Sequence, residues 1–259
     1  MLAWIARGLA QGRITTRYPR GAEPPPPGYH GPVAVLDSER AGPALAHLCP
    51  TGAIAVDASG GLSLDRGRCI QCGECVRAAP ARFAFAERFE TAARTRGALV
   101  VGDVDHGDER PARRALAQQA RALGRSIHVR HIDTGSDGAE EWEVQALWNP
   151  HYDIQRLGFF LTSAPRHADL LLVTGGVTHP MRAPLERTWA VMPEPKALVA
   201  VGTDACSGGL AASTGFVAGG VDAVLPVDVY VPGSPPPPIA LLHGLLLATG
   251  RLREEEVPA

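Results

Sequence analysis

The chain has 259 residues, 45% of them hydrophobic, and a formal net charge of −2, so it can bury a sizeable core while offering no basic excess for nucleic acid. No apolar run approaches the ~20 residues that cross a bilayer, so membrane contact is expected through partners rather than by spanning. The 23 prolines and 29 glycines predict a high share of turns.

In chain order, residues 1–10 are apolar, interrupted by Arg7 and followed by no cleavage-site pattern, which reads as an amphipathic helix rather than a signal peptide. Residues 24–27 are all proline and predict a stiff, extended stretch. Residues 53–56 and 62–64 read as short strands around a Gly60-Gly61 turn, within a small module spanning about residues 28–90. Residues 103–110 are polar and 111–123 are Ala- and Arg-rich with helical spacing, a candidate linker. Beyond Ser126 strand and helix alternate: strands are expected at 126–132, 156–161, 169–174, 196–202 and 223–231, helices at 140–148, 180–192 and 238–249. Such alternation predicts a mostly parallel sheet with helices on both faces, its working site at the carboxyl ends of the strands. Three glycine-containing loops fall there, at 135–140, 202–209 and 232–236.

Cysteine spacing carries the chemistry. Cys69, Cys72 and Cys75 form C-x2-C-x2-C, and Cys49 precedes Pro50. In two-cluster ferredoxins each such run continues x3-C-P, and its fourth cysteine ligates the cluster of the other run. Cys49 is therefore the natural fourth ligand, whereas the position that would serve a partner cluster is Ala79, before Pro80. One ligand set, Cys49, Cys69, Cys72 and Cys75, is whole and its partner is missing, which predicts one 4Fe-4S cluster. Zinc sites more often pair two C-x2-C knuckles and remain the poorer alternative; the odd count of five cysteines argues against a disulfide framework. The histidines show no HExxH spacing, and Thr174-Gly175-Gly176-Val177-Thr178 lacks a dinucleotide fingerprint, so structural roles are expected for both.

Residues 126–252 resemble the cluster-binding small subunit of energy-converting NiFe hydrogenases and its counterpart in respiratory complex I, through RSIHVRHIDTGS, NPHYDIQRLGF, PRHADLLLVTGGVTHPMRAPLERTW, PEPKALVAVG and GGVDAVLPVDVYVPGSPP. Residues 1–95 resemble the two-cluster ferredoxin-like subunit of the same complexes, through TTRYPRG, PPGYHG, CPTGAI and LDRGRCIQCGECVRAAP. The chain thus looks like a fusion of two neighbouring electron-transfer subunits. The resemblance implies an α+β ferredoxin-like module (1–95), a linker and helix (96–125), and an α/β domain of flavodoxin-like, hydrogenase small-subunit type (126–259). It also implies a peripheral place on the cytoplasmic face of the inner membrane, beside a hydrogenase- or complex I-like large subunit and membrane subunits.

The family holds a further 4Fe-4S cluster in the second domain through four cysteines. The matching positions here are Asp137, Glu140, Asp204 and Ser234, with Cys206 two residues beyond its ligand position and not expected to bind iron. Hard oxygen donors are poor substitutes for thiolates on an iron-sulfur cube, so this terminal site is expected to be degenerate. The carboxylates are expected to be solvated or paired with Arg; binding of a hard cation, or a proton route, are the other readings. The implied function is a subunit of a membrane-associated energy-converting, oxidoreductase-related complex carrying one cluster. The alternative is a non-redox scaffold subunit whose cluster is structural.

Overall fold

A computed structural model describes residues 3–21, 23–38, 40–104 and 126–252. Helix α1 (Ala3–Gln11) leaves every residue exposed, with Trp4, Ile5 and Leu9 among the large apolar side chains in solvent. The small module that follows has two antiparallel sheets. Strand β1 (Val33–Val35) pairs with β4 (Phe83–Phe85), and β3 (Leu62–Asp65) lies between β2 (Ile54–Val56) and β5 (Val100–Gly102). Leu62 and Leu64 alternate with Ser63 and Asp65, the two-residue period that puts one face into a core with Val33, Ile54 and Phe83.

Residues 96–102, which the sequence places at the start of a connecting segment, supply β5 to this module. The reason is electrostatic as well as apolar. Arg96 donates from both terminal nitrogens to the Asp65 carboxylate at 2.7 Å, while Leu99 is buried. The helix expected over 111–123 lies outside the described residues.

The second part is a parallel five-stranded sheet in the order β10-β9-β8-β6-β7, formed by β6 (Ile127–Asp133), β7 (Phe159–Leu161), β8 (Leu170–Thr174), β9 (Ala197–Val201) and β10 (Val229–Val231). β8 and β9 are buried throughout, as expected for continuous apolar runs covered on both faces. The ferredoxin-like module and hydrogenase small-subunit-type sheet agree with the fold expected from sequence. Two strands are shorter than their sequences suggest. Residues 156–161 begin inside a 3-10 turn (Ile154–Leu157), which Gly158, at φ +82°, separates from β7. In 223–231 Pro226 has no N–H for a ladder and Asp228 instead accepts the Leu198 N–H at 2.8 Å, so pairing starts only at Val229.

The two parts share cores. Tyr18 and Phe89 pack with the sheet and with the wholly buried C-terminal helix at Pro238–Ala248. Leu99 joins the core on the opposite face, and Ala93 forms an antiparallel bridge with Tyr230 beside edge strand β10.

Candidate metal centre

Cys49 ends a 3-10 turn (Pro43–Leu48), and the chain reverses through Gly52 at φ +63° so that the Ala53 N–H points at its sulfur, N to Sγ 3.2 Å. The Thr51 hydroxyl lies 3.3 Å from the same sulfur. The other three thiols follow β3: Cys69 and Cys72 sit on a tight loop in which Gln71 (φ +55°) and Gly73 (φ +72°) adopt left-handed backbone, and Cys75 lies in the short helix α2 (Glu74–Ala78). A side chain at Gly73 would have its Cβ 2.9 Å from the Phe85 ring, so only glycine lets the loop close against the module. All four cysteines line one small pocket whose remaining wall is largely Val33, Leu48, Ile54, Leu64 and Ile70.

The electrostatics suit a group that supplies positive charge. Burial pushes the Cys69 thiol up to about 11 against the opposing Gln71 N–H, and Cys75, Cys49 and Cys72 push it further. Burial likewise raises Cys75, with Cys49 and Cys72 adding to the shift. Thiols that oppose one another's ionisation in an apolar cavity become thiolates when metal is bound. Among the described residues no three His, Cys, Asp or Glu side chains close on a single ion. A cubane makes a different demand, since its four cysteine thiolates are shared out over the cluster. The donor set, the N–H directed at Cys49 and the apolar wall fit such a group.

Sequence reasoning missed two residues here. Half-buried Arg66, three positions before Cys69, is drawn down to about 10 by desolvation and by Arg88, while Cys69 acts to raise it. Thr203 is fully buried, and its hydroxyl lies 3.0 Å from the Cys69 carbonyl and 3.1 Å from the Gly233 carbonyl, a shared donor that joins the cysteine loop to the loops after β9 and β10. Its position beside Asp204 in the middle loop is the only trace in the sequence.

At the carboxyl ends of the sheet, Asp137 precedes the helix α3 (Ala139–Ala146), which begins after Gly138 and carries Glu140 in its first turn. Asp204 lies in the short helix at Gly202–Ser207. The structure brings Glu140, Asp204 and Asp137 close enough for charge to act between them, and leaves Ser234 exposed in the turn after β10, with no hydrogen bond to any of the three among the described residues. The expected solvation of these carboxylates holds for Asp137 only. Glu140 is 3% exposed, and its Oε2 has no hydrogen-bond partner among the described residues. Burial lifts its carboxyl to about 7, opposed by a backbone N–H and aided by Asp204, Asp137 and Glu141. Burial and Asp137 also raise Asp204. Cys206 is buried in the core, its thiol raised by burial and its carbonyl accepting from Arg96 Nε at 3.1 Å.

Residues 138–248 match the family model of the NADH ubiquinone oxidoreductase 20 kDa subunit, and residues 62–118 match a 4Fe-4S single cluster domain. The second match contains Cys69, Cys72 and Cys75, while Cys49 lies outside it. The chain belongs to the 20 kDa subunit family, joined here to an iron-sulfur domain. Among its relatives, the probable membrane-bound hydrogenase subunit mbhJ of Pyrococcus furiosus is 39% identical over 137 residues, 53% of this chain and 82% of that protein. Formate hydrogenlyase subunit 7 of Escherichia coli is 40% identical over 139 residues, 54% of each chain, so the match spans about half the length of that relative. A chain of the membrane-bound sulfane sulfur reductase, an archaeal respiratory membrane complex, aligns over 52% of this chain and 77% of its own at 27% identity and a TM-score of 0.44. No helix among the described residues is long and apolar enough to cross a membrane.

Proposed function

We propose that this chain is a peripheral subunit, on the cytoplasmic face, of a membrane-associated energy-converting complex, and that it holds one 4Fe-4S cluster on Cys49, Cys69, Cys72 and Cys75. The observation that carries the reading is the single apolar cavity lined by all four thiols, including the cysteine that the matched iron-sulfur domain leaves out. Bound there, the cluster supplies one-electron storage at a potential set by burial and by hydrogen bonds to sulfur. The chain's own residues do the rest. The Ala53 N–H directs a dipole at the Cys49 sulfur, Arg66 places positive charge beside Cys69, and Val33, Ile54 and Leu64 exclude water. Partners are a large subunit and membrane subunits of hydrogenase- or complex I-like kind, in keeping with the names of the relatives.

Asp137, Glu140, Asp204 and Ser234 occupy the positions of a terminal cluster and offer it only oxygen, so in this reading no cluster sits there. A scaffold role is the second reading, favoured by Thr203: its hydroxyl ties the cysteine loop to the α/β domain, so metal bound on that loop would also brace the junction. Iron and acid-labile sulfide analysis with EPR after dithionite reduction tests both. Four irons and four sulfides per chain with one reducible signal are expected. Eight irons per chain would refute the degenerate site, and a cluster that no cellular donor potential reduces would favour the scaffold.

A further inference from the structure

The buried carboxylate in the α/β half is built, not incidental. Gly202 sits at φ +90°, and a Cβ there would come within 2.5 Å of Glu140 Oε1, so the missing side chain is the space the Glu140 carboxyl fills. Gly209 does the same for Asp204, with a Cβ that would fall 1.7 Å from Oδ1. Exposure increases from Glu140, which is buried, through the half-buried Asp204 to Asp137, which is in solvent. Among the described residues the charged groups that act on Glu140 are Asp204, Asp137 and Glu141, all acidic, and none donates a hydrogen bond to Oε2. A buried carboxyl without a cation or a full set of donors is stable only when it carries its own proton.

We propose that Glu140 is a proton-binding site, holding and releasing one proton that reaches solvent by way of Asp204 and Asp137. On release the Glu140 O–H bond breaks, its electron pair stays on the carboxylate and the proton passes to water; no electron moves. The inference rests on the reading that this half of the chain holds no cluster, because iron bound at these positions would take the same carboxylates as ligands and keep them ionised. The burial that makes Glu140 basic matches what a group needs to exchange protons near neutral pH.

The test is carboxyl-13C NMR of the full chain labelled at glutamate and aspartate, titrated from pH 5 to 9, with iron counted on the same sample. One carboxyl is expected to titrate within a unit of pH 7, to vanish in Glu140→Gln, and to move at least half a unit lower in Asp204→Asn. Magnesium at millimolar concentration should leave it in place. The absence of any carboxyl titrating above pH 6, its persistence in Glu140→Gln, an unmoved midpoint in Asp204→Asn, or a magnesium-dependent fall would each overturn the proposal. Should Glu140→Gln fail to fold, Asp204→Asn and the magnesium arm decide it. Iron in excess of four per chain would instead strike the cluster assignment, and is read independently of the titration.

Discussion

Arg96→Met is expected to weaken the joint between the two parts of the molecule. The guanidinium makes two hydrogen bonds of 2.7 Å to Asp65 on β3 and one of 3.1 Å to the Cys206 carbonyl in the helix at Gly202–Ser207. Removing one partner of a fully buried pair costs about 3–5 kcal/mol, and an exposed pair is worth about 0–1 kcal/mol. The two side chains are 26% and 20% exposed, which places this pair between the limits. After substitution Asp65 keeps the Gly67 N–H at 2.9 Å and the nearby Arg68, so its charge is not abandoned. A loss of about 2–3 kcal/mol follows, with a further orphaned carbonyl at Cys206. Urea unfolding of the iron-loaded chain measures it, and a double-mutant cycle with Asp65→Asn isolates the pair. A loss below about 0.5 kcal/mol would show that the pair behaves as a surface contact and would refute the reasoning.

Cys72→Ala should abolish the EPR signal and most bound iron, while Cys206→Ala should leave both intact, because Cys206 faces the core. Thr203→Val removes a buried hydroxyl shared by two carbonyls; a loss of about 1–3 kcal/mol in urea unfolding is expected, with a changed line shape of the reduced cluster. Two buried groups should tilt stability against pH in opposite directions. His243, lowered to about 4 by burial and then by Arg94, contributes stability present above its ordinary 6.5 and lost as pH falls through 4. Glu140, raised from 4.5 to about 7, contributes stability present below 4.5 and lost as pH rises through 7. Each amounts to about 3 kcal/mol, so their slopes nearly cancel between pH 4.5 and 6.5. Urea midpoints across that range should fall with rising pH in His243→Gln and rise in Glu140→Gln; parallel profiles in the two variants would contradict the assignment.

The strands at β2, β3, β6, β8 and β9 and the three long helices of the α/β part were legible because burial imposes a period on sequence that is local in nature. The end of β10 nearest Pro226 and the 3-10 turn before β7 were not, since Ile154 and Leu157 bracket the turn and Leu225, Val227 and Val229 surround Pro226 and Asp228, so apolar spacing runs across breaks that backbone geometry sets. The membership of residues 96–102 in the small module was hidden for another reason: it depends on a carboxylate about thirty positions earlier, which no window along the chain contains.

By itself the amino-acid sequence determined the donor inventory. Thiolates at Cys49, Cys69, Cys72 and Cys75, and oxygen in place of sulfur at Asp137, Glu140, Asp204 and Ser234, are matters of residue type and spacing. Tertiary structure alone decided their environments: that Cys49 shares an apolar cavity with the other three, that Thr203 reaches the Cys69 carbonyl, and that of the four oxygen donors only Glu140 is buried. Burial and long-range contact are properties of packed surfaces, set by where distant segments meet, and a carboxylate's proton affinity follows from that packing rather than from its neighbours along the chain.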